Sequence, residues 1–387
     1  MLNARKIRER FPIGFYDDLH KDFSINFQMN RFYSWANDED MLKEMKGASR
    51  HINNYDEHIA KFLELSEKAL KNGHKLRGAF YLRGAEFFIP KSDPQKQTYR
   101  KEFISLMLEH FHVKENEHFK VPYENSYLSA YRFTPENPKG KIVFFAGYDG
   151  YIEELFSLLI GMKEEGYDVV CFDGPGQGSV LENCKMPMTH EWEKPVKTIL
   201  DFFNLDDVTL IGMSLGGYLA LRAAAFEKRI KRVIADDIFP DMYRMIIAAL
   251  PVNLREIVNN LMENENAEEL NSLIKKLMNE SLIIKWAFNQ GLNVTGSQTP
   301  YEYLNKIMLY NTREISGQVE QDVLLMVAKE DHYVPLEQFS EQIETLTNVR
   351  SLTTRTFTRK EHAQNHCHVG NIGLSAEVML DWIEQIS

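Results

Sequence analysis

The chain has 387 residues, 44% of them hydrophobic and 12% aromatic, and a formal net charge of -11. The apolar fraction suffices for a large core and excludes a disordered chain; the length suggests two or three structural units. The acidic balance gives no electrostatic reason to bind nucleic acid or an anionic membrane, both of which need clustered Lys and Arg.

The N-terminal stretch MLNARKIRERFPIGF is basic but carries no apolar segment, so it does not read as a secretory signal. No apolar run approaches the roughly 18 residues of a membrane span; MIIAALPV (245–252) is short and reads as core helix. Cys171, Cys184 and Cys367 are odd in number and far apart, which fits a reducing compartment rather than a disulfide framework. A cytoplasmic location is expected.

Residues 1–122 read as a helical domain. HIAKFLELSEKALKNG (58–73) sets Ile59, Phe62, Leu63, Leu65 and Leu70 on one broad face and stops at Gly73. KLRGAFYLRGAEFFI (75–89) and YRKEFISLMLEHFHV (99–113) continue the periodicity, with Pro90 and SDPQ between them. The pattern changes near Val121. SYLSAYRFT (126–134) alternates as a strand, and KIVFFAG (141–147) is an apolar run closed by glycine. EELFSLLIGMKEEG, DVVCFDG, VTLIG, YLALRAAAF, RVIADD and DVLLMVA follow as alternating helices and short apolar strands. That order predicts an α/β fold with a mostly parallel central sheet covered on both faces. Helical, Met- and aromatic-rich sequence over 241–318 interrupts it and reads as a cap. The core is therefore expected in two parts, 123–240 and 319–387.

Gly212-Met213-Ser214-Leu215-Gly216-Gly217 fits G-x-S-x-G, with the strand VTLIG entering and the helix YLALRAAAF leaving. Such a turn strains the serine backbone and exposes its hydroxyl. Tiny residues two before and two after let neighbouring backbone approach, and Gly212 and Gly216 supply them. Ser214 is the expected nucleophile. It needs a base, and an acid that orients the base, in the chain order Ser, Asp or Glu, His. Asp331, in the loop after DVLLMVA and ahead of Pro335, is the favoured acid; Glu330, Asp236 and Asp237 compete. His362, His366 and His368 lie between the last expected strand, SLTTRTFT (351–358), and the last helix, SAEVMLDWIEQIS (375–387), and spacing does not choose among them. HAQNHCH also tempts a metal reading, but no partner motif accompanies it, so neither metal nor other cofactor is expected. The oxyanion needs two backbone N–H groups: that of Leu215, and one from the loop after FFAG, near Tyr148, which Gly147 and Gly150 free to approach. Asp173-Gly174-Pro175-Gly176-Gln177-Gly178 completes no phosphate-loop motif and reads as a structural turn.

GMSLGG, the loop GYDGYIEE, DGPGQG and NHCHVGN together resemble the α/β-hydrolase superfamily. More narrowly they resemble its branch with an N-terminal helical domain, which includes 2,6-dihydroxypseudooxynicotine hydrolase, the fermentation-respiration switch protein and acylaminoacyl-peptidase-like esterases. WAFNQGLNVTGSQTPYEYL (286–304) and AFYLRGAEFF (79–88) extend the resemblance over most of the chain. In that branch the catalytic histidine lies in a segment like E-H-C-Q. The match here, Asn365-His366-Cys367-His368, implies His366 as base, with Asp331 as acid and Ser214 as nucleophile. It implies a serine hydrolase that forms an acyl-enzyme on a small, partly apolar ester, amide or activated C–C substrate. An acylaminoacyl-peptidase-like exopeptidase on short blocked peptides is the alternative, and a catalytically silent partner-binding protein the rival of another class. The expected partner is a small-molecule or short-peptide substrate; a homodimer is compatible with the sequence. Because the cap falls between two core strands, it is expected over Ser214, with some of Met242, Tyr243, Met245, Trp286, Phe288 and Tyr310 lining an apolar pocket.

Overall fold

The computed structural model describes residues 5–386. The first four residues of the expected N-terminal domain, and Ser387 at the end of the expected last helix, lie outside the described residues.

Eight strands form one sheet: β1 (His118–Tyr123), β2 (Ser126–Phe133), β3 (Gly140–Phe145), β4 (Tyr167–Asp173), β5 (Val208–Met213), β6 (Ile230–Asp236), β7 (Asp322–Ala328) and β8 (Ser351–Phe357). They lie in the order β1-β2-β4-β3-β5-β6-β7-β8. β1 pairs antiparallel with β2 and β2 with β4, and every pairing from β4 through β8 is parallel. The parallel strands are apolar on both faces because both are covered. Ile142 and Phe144 of β3 join one core, Val143 and Phe145 the other.

Helices Phe23–Ala36, Glu39–Ser49, Tyr55–Lys71, Lys75–Phe88 and Gln95–His110 precede the sheet. Asp22, Asp38 and Asn54 cap the first three by accepting backbone N–H bonds. Helix Lys75–Phe88 is buried from Arg77 to its end, polar residues included, so it is the centre of this layer rather than a surface helix. Its apolar side chains share a core with Ile142, Phe144, Ile211 and Ile234 of the sheet. Five helices, Met242–Ala248, Val252–Glu263, Ala267–Glu280, Leu282–Thr295 and Pro300–Ile307, fill the interval between β6 and β7 and pack into the opposite core.

The structure departs from the sequence reading at several elements. β1 opens at His118, inside the stretch read as helical; Phe119, Val121 and Tyr123 alternate with exposed His118, Lys120 and Pro122, but the run is only six residues long and carries a proline. The helices Gly178–Cys184, Glu193–Phe202 and Leu336–Thr345 have no counterpart in the sequence reading.

Candidate active site

Five strand ends assemble the site. Ser214 follows β5, Asp331 follows β7 and His366 follows β8, while Tyr148 lies in the loop after β3 and Asp237 directly after β6. All are at the carboxyl ends of parallel strands, where α/β sheets place their ligands.

The turn at Ser214 is strained, with φ 62 and ψ -126. The Ser214 N–H donates to the Asp236 carbonyl at 2.5 Å, which ties the turn to β6. A Cβ on Gly212 would lie 1.9 Å from the Gly216 carbonyl oxygen, so the sharp reversal requires glycine there. Gly147 is equally constrained. Its Cβ would meet Leu215 N at 2.7 Å and Ser214 Cβ at 2.8 Å, so the loop after β3 lies on the elbow. Leu215 opens the helix Leu215–Phe226, where N–H groups have no intrahelical acceptor.

Ser214 Oγ is 2.7 Å from His366 Nε2, and His366 Nδ1 is 2.7 Å from Asp331 Oδ2. With Nδ1 protonated toward Asp331, Nε2 accepts from the serine hydroxyl; that tautomer is the one the carboxylate assigns. Asp331 Oδ1 accepts the N–H groups of Tyr333 and Val334 at 2.7 and 3.0 Å, which fixes the carboxyl. Of the other two histidines, His362 is exposed. His368 is fully buried, with Nε2 2.8 Å from Asp236 Oδ1 but off the line of a good hydrogen bond. Glu330 is exposed and paired with Arg359. Asp237 is a second carboxylate at the site: its Oδ2 is 3.1 Å from His366 Nδ1 and accepts the Cys367 N–H at 2.6 Å.

Burial would push the Asp331 carboxyl up, but the His366 charge and hydrogen bond pull it down to about 2. Burial would lower His366, yet Asp331, then Cys367 and Asp237, hold it well above its ordinary value. Burial, and then the charge of Asp331, raise Asp237 to about 7. Burial lifts the Cys367 thiol to about 12. Asp237, His366 and Cys367 are near enough to share a cation, but the His366 nitrogen facing Asp237 already has Asp331 as its partner.

Ser214 opens into a cavity of about 290 Å³. Met242, Met245, Trp286 and Phe288 of the cap line it; Tyr243 and Tyr310 do not, and Tyr310 packs on Tyr218 instead. The opposite wall comes from the N-terminal layer, which the sequence reading does not place there. Phe23, Phe27, Arg31 and Trp35 reach in from the first N-terminal helix. Their i, i+4 spacing puts them on one face, but nothing local says which core that face meets. Arg31 is neutralised there by Asp149 at 3.1 Å and Glu154 at 2.8 Å.

A family model for the alpha/beta hydrolase fold matches residues 142–366, more than half of the chain. The chain belongs to the α/β-hydrolase family. As a member it is similar to the hydrolyase poxO of Penicillium oxalicum, with 30% identity over 249 residues, 58% of this chain and 57% of that protein. It is 28% identical over 252 residues to the 20-hydroxy-prefusarin hydrolase FUS2 of Gibberella moniliformis, covering 59% of each. The chain thus spans somewhat under two thirds of these relatives. The crystal structure of 2,6-dihydroxy-pseudo-oxynicotine hydrolase superposes with a TM-score of 0.60 over 93% of this chain and 94% of that one, at 18% identity. At that identity the likeness is one of fold, and it includes the N-terminal helices. No described helix is long and apolar enough to cross a membrane.

Proposed function

We propose that the protein is a serine hydrolase that transfers an acyl group from a small, partly apolar substrate to Ser214 and then to water. The observation that carries this reading is the unbroken hydrogen-bond chain Ser214–His366–Asp331, each link 2.7 Å, on a strained elbow at the floor of an apolar cavity.

His366 Nε2 takes the serine proton as Oγ attacks the substrate carbonyl carbon. Asp331 holds the ring in the right tautomer and stabilises the imidazolium. The N–H groups of Leu215 and Tyr148 stabilise the oxyanion. Collapse of the tetrahedral adduct returns the proton to the leaving group; His366 then deprotonates a water that releases the acid. Asp331 and Asp237 raise the proton affinity of His366, which favours proton uptake from Oγ, while the reaction starts only from the ring that is neutral at Nε2.

The cavity favours a small substrate over a polypeptide. Its walls are Met, Phe, Trp and Ile side chains from two helical layers, which exclude an extended chain but accept an apolar acyl group. The FUS2 relative bears the name of a compound, 20-hydroxy-prefusarin, as its substrate, which supports the same direction. A chain-length series of p-nitrophenyl esters alongside blocked peptides is the test. The reading expects an optimum at short or medium apolar acyl groups, abolished by Ser214→Ala. Efficient cleavage of long unstructured polypeptides would overturn the closed-pocket part of it.

A further inference from the structure

The turn Gly174–Gly178 carries a buried amide, that of Gln177. Gln177 is 2% exposed. Its Nε2 donates to the carbonyl oxygens of Ala146 at 2.6 Å and Gly147 at 2.9 Å, while its Oε1 accepts the Gly174 N–H at 3.0 Å. That N–H admits only the oxygen of the amide as its partner, so the amide cannot be flipped and both remaining donors face the loop after β3. We infer that Gln177 is a positioning residue that orients the Gly147–Tyr148 peptide so that the Tyr148 N–H faces the reacting carbonyl.

The sheet order supplies the direction. β3 lies between β4 and β5. Gln177 follows β4 and Ser214 follows β5, so the two stand on opposite sides of the loop that continues β3. In a trans peptide the C=O and the N–H point opposite ways, and no cis peptide occurs among the described residues. Gln177 draws the Gly147 carbonyl to the β4 side; the N–H of the same peptide therefore points to the β5 side, where Ser214 stands. The peptide could otherwise rotate. Gly147 carries no Cβ to resist it, and a Cβ could not be added, since it would strike Leu215 N and Ser214 Cβ. A flipped peptide would turn a carbonyl oxygen toward the developing negative charge. The next peptide is secured from the other layer: Gln290, on the cap helix Leu282–Thr295, donates to the Tyr148 carbonyl at 2.9 Å. The loop is thus held from the core on one side and from the cap on the other.

This inference rests on acyl transfer at Ser214 as proposed above. Its test is Gln177→Met, which keeps the length and loses all three hydrogen bonds, with Gln177→Glu as companion, since it retains the acceptor for the Gly174 N–H. Both are assayed on an ester the wild type cleaves and on the matching thionoester, whose sulfur uses an oxyanion hole poorly. For Gln177→Met, kcat for the ester is expected to fall on the order of 10²-fold, the effect of disabling one hole donor, with KM within about threefold. The preference for ester over thionoester should collapse in proportion, because the thionoester never profited from that N–H. Gln177→Glu should recover part of both losses as the carboxyl is protonated toward acid pH. Equal losses on ester and thionoester in a folded variant, or an unchanged kcat, would overturn the inference and leave Ser214 untouched. If Gln177→Met does not fold, the ester-to-thionoester ratio of Gln177→Glu decides alone. Full ester turnover by Ser214→Ala would instead overturn the underlying mechanism.

Discussion

Replacing Arg83 by methionine removes the keystone of a buried charge cluster, and the cost can be worked from its contacts. Arg83 is 2% exposed. Its Nε donates to Glu154 at 2.5 Å, Nη1 to Glu86 at 2.6 Å and Nη2 to the Asp149 carbonyl at 2.8 Å; its guanidinium lies 4.2 Å over the Tyr151 ring. Arg31, Arg83 and Lys96 balance Asp149, Glu86 and Glu154 in this cluster. The substitution leaves three carboxylates facing two cations in a site where Glu86 and Glu154 are wholly buried. Glu154 retains Arg31, and Glu86 retains Lys96 and Tyr151, so neither is abandoned. Even so, breaking a buried pair by removing one partner costs about 3–5 kcal/mol. The assay is urea unfolding followed by far-UV circular dichroism, compared at the first transition. A loss below about 1 kcal/mol would refute the view that Arg83 is the ion that ties the N-terminal helices to the loop 148–154.

Asp331→Asn should lower kcat by about 10⁴-fold, because the amide presents a donor to His366 Nδ1 and favours the wrong tautomer; a loss under tenfold in steady-state kinetics would mean that Asp237, at 3.1 Å, is the working acid. Asp237 itself shapes the pH profile of stability. Its carboxyl ionises near 7 in the folded protein against 3.8 ordinarily, so the native state holds a proton the unfolded chain gives up between about pH 4 and 7. Stability from this group is fully present below that window and is lost as pH rises through it. Asp237→Asn cannot ionise, so its melting temperature should gain on the wild type from pH 5 to 8; parallel curves would contradict this. Phe27→Ala opens the cavity wall supplied by the N-terminal helix and should shift the acyl-chain optimum of kcat/KM to longer esters, whereas an unchanged optimum would show that this wall does not meet the substrate.

What the sequence disclosed was whatever depends on local pattern. The elbow was legible because Gly212, Ser214 and Gly216 sit between an apolar strand and an apolar helix, and the steric demand falls on those residues themselves. The parallel core was legible because strands buried on both faces are continuous apolar runs. His366 was not separable from His362 and His368 by spacing; only the resemblance pointed to it. The structure sets the three apart by environment, one exposed, one beside Asp236 and one between Ser214 and Asp331. Gln177 is not legible, because a glutamine in a Gly-Pro turn carries no local signal of what its amide will meet. The same holds for Phe27 and Arg31, whose place on the cavity wall depends on how the N-terminal layer is set against the core. Long-range partners, not residue types, decide these roles.

The most direct measurement is reaction of the purified protein with a fluorophosphonate, followed by peptide mass spectrometry and repeated on Ser214→Ala. The account predicts one adduct per chain, on Ser214, and none on the variant. An unlabelled wild-type protein, or an adduct on any other residue, would contradict it.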